Sequence, residues 1–162
     1  MLALTFVTIS LAKSSSAQIA RLSPAFQELP TNLVQELQRR GCTIPQETWS
    51  GRRNNVIKAQ FAKPGQMDWA VLSSLKGVST ILVFWNASEK NPDAIAPAKD
   101  RDSNNQRGIR AVGKDFIMRH YRAYGGPKPP PIDHQGIEDA GEKASIVWYF
   151  YEGQWLQLTG AD

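Results

Sequence analysis

Apolar residues recur along this chain in two periods, separated by polar breaks rich in proline and glycine. From Ser23 to Gly41 the spacing is helical, interrupted near Pro30. Leu33, Val34 and Leu37 form one stripe, Thr31 is expected as the N-cap, and Gly41 stands where a left-handed glycine ends a helix. Residues 43–55 carry Pro45, Trp49, Gly51 and the run Arg52-Arg53-Asn54-Asn55, and read as a loop. Three strands are predicted next, over 56–61, 69–72 and 78–85. In the last, Ile81-Leu82-Val83-Phe84-Trp85 is unbroken. Alternation cannot put half of such a run in water, so this strand belongs at a sheet centre, covered on both faces. Lys76-Gly77 supplies the turn that pairs the last two as a hairpin.

Residues 86–108 are polar, contain Pro92 and Pro97, and read as a long functional or mobile loop. Lys114 to Tyr124 is a second helix with Phe116, Ile117, His120, Tyr121 and Tyr124 on one face, stopped by Gly125-Gly126. Pro127 to Pro131 is a stiff extended connector. Ser145 to Tyr151, a Glu152-Gly153 turn and Trp155 to Leu158 close the chain as a hairpin. The order α-β-β-β-α-β-β predicts an α+β single domain, an antiparallel sheet of about five strands with two helices on one face.

Leu2 to Ala12 is mostly apolar, and Ser14-Ser15-Ser16-Ala17 follows it. A short apolar run before small residues reads as a secretory signal cleaved ahead of Gln18, although no Lys or Arg precedes the run. The expected division is therefore a signal peptide over 1–17 and one domain over 18–162, in the periplasm or outside a bacterial cell. No apolar run reaches the ~20 residues of a bilayer span, so no integral membrane segment is expected after cleavage.

Composition narrows the classes further. With 162 residues, 41% of them hydrophobic and 21% charged, the chain is an ordinary globular domain, which excludes global disorder, collagen and a disulfide-stapled miniprotein. The net charge of +4 falls to +3 once Lys13 is removed with the signal, and the basic doublets Arg39-Arg40 and Arg52-Arg53 make no dense stripe. Nucleic acid is therefore not an expected partner. Cys42 is the single cysteine, so no internal disulfide forms and a buried thiol is expected.

The chemistry on offer is thin. Gly-x-Ser-x-Gly, Walker and Gly-x-Gly-x-x-Gly patterns are missing. Asp133-His134-Gln135-Gly136-Ile137-Glu138-Asp139 places carboxylates and an imidazole within seven residues. Asp133, His134 and Glu138, joined by His120 through the fold, are candidates for a divalent metal or for acid–base work. Gly136 argues against the helix that would align His134 with Glu138, and a capping role for Asp133 explains the same residues. Asp100-Arg101-Asp102-Ser103-Asn104 has calcium-ligand types at alternate positions, but Asn105 replaces the turn glycine, Ala111 the bidentate Glu, and Lys99, Arg101 and Arg107 oppose a cation. No metal and no cofactor is expected. The chain is also rich in Trp, with five. Trp148 shares a strand face with Ile146 and Phe150, while Val147, Tyr149 and Tyr151 take the other, so the strand is buried on both sides or binds something. Trp49, Trp148, Tyr149, Tyr151 and Trp155 are the candidate ligand-binding residues, for stacking on a sugar or peptide.

Two resemblances add to this reading. Phe61-Ala62-Lys63-Pro64-Gly65-Gln66-Met67-Asp68-Trp69-Ala70-Val71-Leu72 resembles the calcium-loop half of an FG-GAP or VCBS-type repeat, matched at Gly65, Asp68 and Ala70-Val71-Leu72. Gln60, Ala62 and Pro64 replace its acidic ligands, so the resemblance implies a strand-turn-strand that has lost its ion. Gly41-Cys42-Thr43-Ile44-Pro45, the strand from Asp68, Ile81 to Trp85 and the Trp155-to-Asp162 tail are similar to small exported bacterial proteins of uncharacterised function. That likeness implies export and a single α+β domain, with no catalytic residues to carry over. The expected function is an exported, non-enzymatic binding or accessory module acting on an envelope protein or a glycan. The alternative is a small metal-dependent or acid–base hydrolase built on Asp133, His134 and Glu138.

Overall fold

A computed structural model describes residues 28–46, 54–100, 107–141 and 144–160. The expected signal segment, Trp49 and Arg101 to Asn104 lie outside the described residues. The elements are α1 (Thr31–Arg40), β1 (Val56–Ala59), β2 (Asp68–Leu75), β3 (Val78–Phe84), a 3-10 turn (Trp85–Ala87), β4 (Asp93–Lys99), β5 (Gly108–Val112), α2 (Lys114–Tyr124), β6 (Gly136–Ala140), β7 (Ser145–Tyr151) and β8 (Gln154–Thr159). The chain is α+β, but one sheet of five strands is corrected to two antiparallel sheets of four, ordered β1-β2-β3-β4 and β5-β6-β7-β8.

Three strands escaped the hydropathy pattern for physical reasons. β4 lies in the segment 86–108 expected to be a loop, and only Ile95 of its residues is buried. It is an edge strand with a register shift opposite Ser79 and Ile81, left-handed backbone at Ala96 (φ 53°) and Pro97 beside it. A bulge and a proline are tolerated there because an edge strand has ladder groups to spare, and both discourage pairing with another chain. β5 is short, and β6 hides Glu138 and Asp139 among its apolar residues.

Strand alternation stacks four layers. On one face of the first sheet Trp69, Val71, Leu82 and Phe84 meet Leu33 and Leu37 of α1, with Cys42 and Ile44. Its other face, carrying Ala70, Leu72, Ile81, Val83 and Ile95, packs on Ile109, Ile137, Trp148 and Trp155 of the second sheet. The far face of that sheet, with Val112, Val147, Tyr149 and Leu158, is covered by Ile117 of α2 and by Ile132. β3 is thus interior and apolar on both faces, as its unbroken run requires. The two helical stripes cover different sheets, whereas the sequence suggested a single covered face.

Helix ends follow the sequence closely, with one change. Pro30, not Thr31, is the N-cap; its carbonyl accepts from Leu33 and Val34 N–H at 3.0 Å each, and no side chain caps the helix. At the other end Gly41 (φ 73°) donates to the Gln38 carbonyl, and the next N–H, of Cys42, returns to Leu37. Cys42 is a buried free thiol.

Candidate functional site

The Asp133–Asp139 segment does not act as one cluster. Asp133 and His134 precede β6, whereas Glu138 and Asp139 lie within it and point to opposite faces, as alternation demands. His134 Nδ1 is 2.6 Å from Asp133 Oδ1 and 2.9 Å from the Tyr149 hydroxyl, and its ring stacks on Tyr149 with centroids 4.4 Å apart. His134 Nε2 is 2.9 Å from the Phe150 carbonyl. The Tyr149 hydroxyl in turn accepts from the Asp133 N–H at 3.2 Å. The hydrogen bond from His134 holds the Asp133 carboxyl below its ordinary range, and burial pushes the Tyr149 phenol up. This network pins the proline connector to β7. Its His134 imidazole is enclosed, with both nitrogens occupied, and does not face an open site.

Glu138, fully buried, pairs with Arg110 across β5–β6 and accepts from the Ser145 hydroxyl at 2.7 Å. His120 sits on α2 between Phe116 (centroids 4.2 Å) and Tyr124 (5.8 Å). The structure therefore brings Asp133 and His134 together with Tyr149, and gives Glu138 and His120 other partners. Among the described residues no group of three His, Cys, Asp or Glu could hold a metal ion.

Asp68, the acidic residue of the strand-turn-strand resemblance, is completely buried. Its carboxylate accepts from the N–H groups of Phe61 and Ala62 at 3.0 Å each, from Asn86 at 2.7 Å and from the Gln66 amide at 2.8 Å. Four donors fill the acceptor positions that an ion would need, so this Asp organises the turn through hydrogen bonds.

The aromatic candidates divide by strand face. Trp148 and Trp155 pack between the sheets, while Tyr149 and Tyr151 face α2. Trp155 stacks on Trp85 at 5.6 Å and meets Phe150 edge-on at 5.3 Å, and its indole N–H reaches Asp93 at 3.0 Å. Trp155 thereby ties β8 to β4. Trp85, Phe150 and Asp93 complete that group, and none of them is among the ligand-binding candidates read from the sequence. They were hidden in an apolar run, a hairpin and an expected loop.

Among the described residues a cavity lies at another place. Arg107, expected to sit in a loop, is inserted between the two sheets. It bonds Asp139 through Nε and Nη2 at 2.7 Å each, the Ser79 carbonyl at 3.1 Å and the Ala96 carbonyl at 2.6 Å. Beside it, both Ser74 and Ser79 hydroxyls donate to Asp100. A cavity of about 280 Å³ opens here, lined by Thr43, Ile44, Pro45, Ser74, Ser79, Asp100 and Arg107. Thr43 is held there by a two-way backbone bridge to Ser74, at 2.8 and 2.9 Å. Sequence gave only faint signals: serines at the end of an apolar strand and an isolated Arg. Comparison with protein-family models, with curated proteins and with solved structures finds no match.

Proposed function

We propose that this chain is an exported, non-enzymatic binding or accessory module. One observation carries the reading: His134, Glu138 and Asp139, three of the residues best suited to catalysis, are committed to holding the fold together. His134 is bonded on both nitrogens, Glu138 serves Arg110 and Ser145, and Asp139 serves Arg107. A general base must have a reacting proton within reach, and a buried group whose partners are all intramolecular offers none. The apolar run before Ser14-Ser15-Ser16-Ala17 supports export. Among the described residues no helix is long and apolar enough to cross a membrane.

Two measurements test this. Residues 1–20, fused to a reporter active only outside the cytoplasm, give signal, and the exported chain begins at Gln18. A recovered chain that still begins at Met1 contradicts export. Turnover of an ester, phosphoester or glycoside that disappears in His134→Ala, with the melting temperature retained, contradicts the non-enzymatic reading in favour of acid–base hydrolysis at Asp133 and His134.

A further inference from the structure

We infer that the outer edge of β8 is a pairing edge and that a second copy of this chain occupies it. The two β8 strands lie antiparallel across a two-fold axis, so that the β5-β6-β7-β8 sheet continues from one protomer into its partner. The inference goes beyond the binding-module reading and does not depend on it.

A sheet edge presents unpaired N–H and C=O groups, and folded chains guard such edges with charge, proline, bulges or cover. The two sheets end in β1, β4, β5 and β8. β1 and β5 meet and are bridged by Asn55, whose amide donates to the Arg107 carbonyl at 3.1 Å and accepts from the Ile109 N–H at 2.9 Å. Each of them also carries an exposed charged residue, Lys58 and Arg110. β4 has its register shift, left-handed Ala96, Pro97 and exposed Lys99. β8 has none of these devices. Gln154–Thr159 contains no charged residue, proline or glycine, and its six residues pair with β7 in unbroken register. Among the described residues no strand lies on its other side.

Hairpin geometry shows which backbone groups point outward. Glu152 and Gly153 have φ of 48° and 80°, a two-residue turn of type I′, which makes Tyr151 and Gln154 a hydrogen-bonded pair. Alternation then directs the N–H and C=O of Gln154, Leu156 and Leu158 to β7, and those of Trp155, Gln157 and Thr159 outward. The end of α2 comes down on the last of these: the Thr159 hydroxyl donates to the Gly125 carbonyl, and a side chain at Gly126 would collide with it. The open length is therefore centred on Leu156. Against an antiparallel copy, Trp155 opposes Gln157 of the partner subunit and exchanges both backbone hydrogen bonds with it, and the axis repeats that pair. Leu156 faces its own counterpart.

The occupant follows from self-complementarity. A two-fold interface sets a strand against itself, so any charge near the axis meets its own sign. β8 has none to oppose. Leu156, half-buried beside the α2 face, gains apolar cover from its counterpart.

The test combines sedimentation and amide hydrogen exchange of the full chain over a range of concentrations. The mass is expected to rise from one copy to two. The Trp155 and Gln157 amides become protected over the same range, whereas the Leu156 amide, bonded to β7, is protected throughout. Gln157→Pro deletes an outward N–H and no bond to β7, so it stays monomeric at every concentration and still folds. If that variant does not fold, Gln157→Lys at the same exposed position sets a cation on each side of the axis. It moves self-association to roughly tenfold higher concentration. A chain that stays monomeric overturns the inference. So does Trp155 and Gln157 protection that is independent of concentration, or an association that survives both variants. None of these results touches the module reading, which falls to export failure or to His134-dependent turnover.

Discussion

Arg107 joins parts of the molecule that are distant in sequence, linking β3, β4 and β6 through one guanidinium. Breaking a buried ion pair by removing one partner is costly because the other charge keeps its desolvation penalty. Asp139→Ala is therefore expected to destabilise the protein by about 3–5 kcal/mol, read as a shift in the urea midpoint at constant slope. An ion cluster on the helix surface behaves differently. Glu36 on α1 accepts from Arg39 and Arg40, and these hydrogen bonds lower its carboxyl to about 2 from 4.5. Because the folded value is depressed, its contribution is full above about 4.5 and is lost as pH falls towards about 2. Glu36→Gln should reduce the acid-side slope of melting temperature against pH in that window. The slope should not vanish, because Asp133 and Glu89 are shifted in the same direction by His134 and Asn32. An unchanged slope in the variant would contradict the role given to this cluster.

At the scale of elements, what was legible followed from strong local patterns. α2 was read with its observed bounds because it combines an apolar stripe with a Gly-Gly stop. The 76–77 and 152–153 turns were read from a glycine in each, and both show left-handed backbone, at Lys76-Gly77 and Glu152-Gly153. β6 was illegible because two of its five residues are carboxylates, which find their partners only through the fold. Gly136 carried a signal of a different kind. A Cβ there would come within 2.9 Å of Val147 and 3.0 Å of the Trp148 carbonyl, so glycine is required for β6 to lie against β7. The cavity was nearly invisible, since its Ser74, Ser79 and Arg107 are assembled from strands and a segment with no shared motif. β3 provides the sharpest prediction at this scale. Phe84 is fully buried between β2 and α1, and Phe84→Ala should cost about 3–5 kcal/mol by thermal or urea melting. Ser88 and Lys90, just beyond the 3-10 turn, should tolerate substitution within about 0.5 kcal/mol. A Phe84→Ala protein that melts like the parent would remove β3 from the core.

For the whole molecule, two helix-backed sheets enclose a middle layer, largely apolar among the described residues, that Asn55, Arg107, Asp139, Asp93 and Trp155 cross. Stability in such a body comes from packing and from internally paired charge. EDTA is accordingly expected to leave the melting temperature unchanged, whereas a bound ion at a hundredfold excess over its dissociation constant would add about 2.7 kcal/mol that chelation removes. The same architecture underlies the functional proposal, since it turns the charged stretch before Ala140 from a reactive loop into a core strand. Native-state hydrogen exchange tests that point most directly. The amides of Ile137 to Ala140 should exchange as slowly as those of β3, opening only with global unfolding. If they exchange as fast as the proline connector at 127–131, the segment is a loop. Its carboxylates would then be available for chemistry, and the binding-module account would be contradicted.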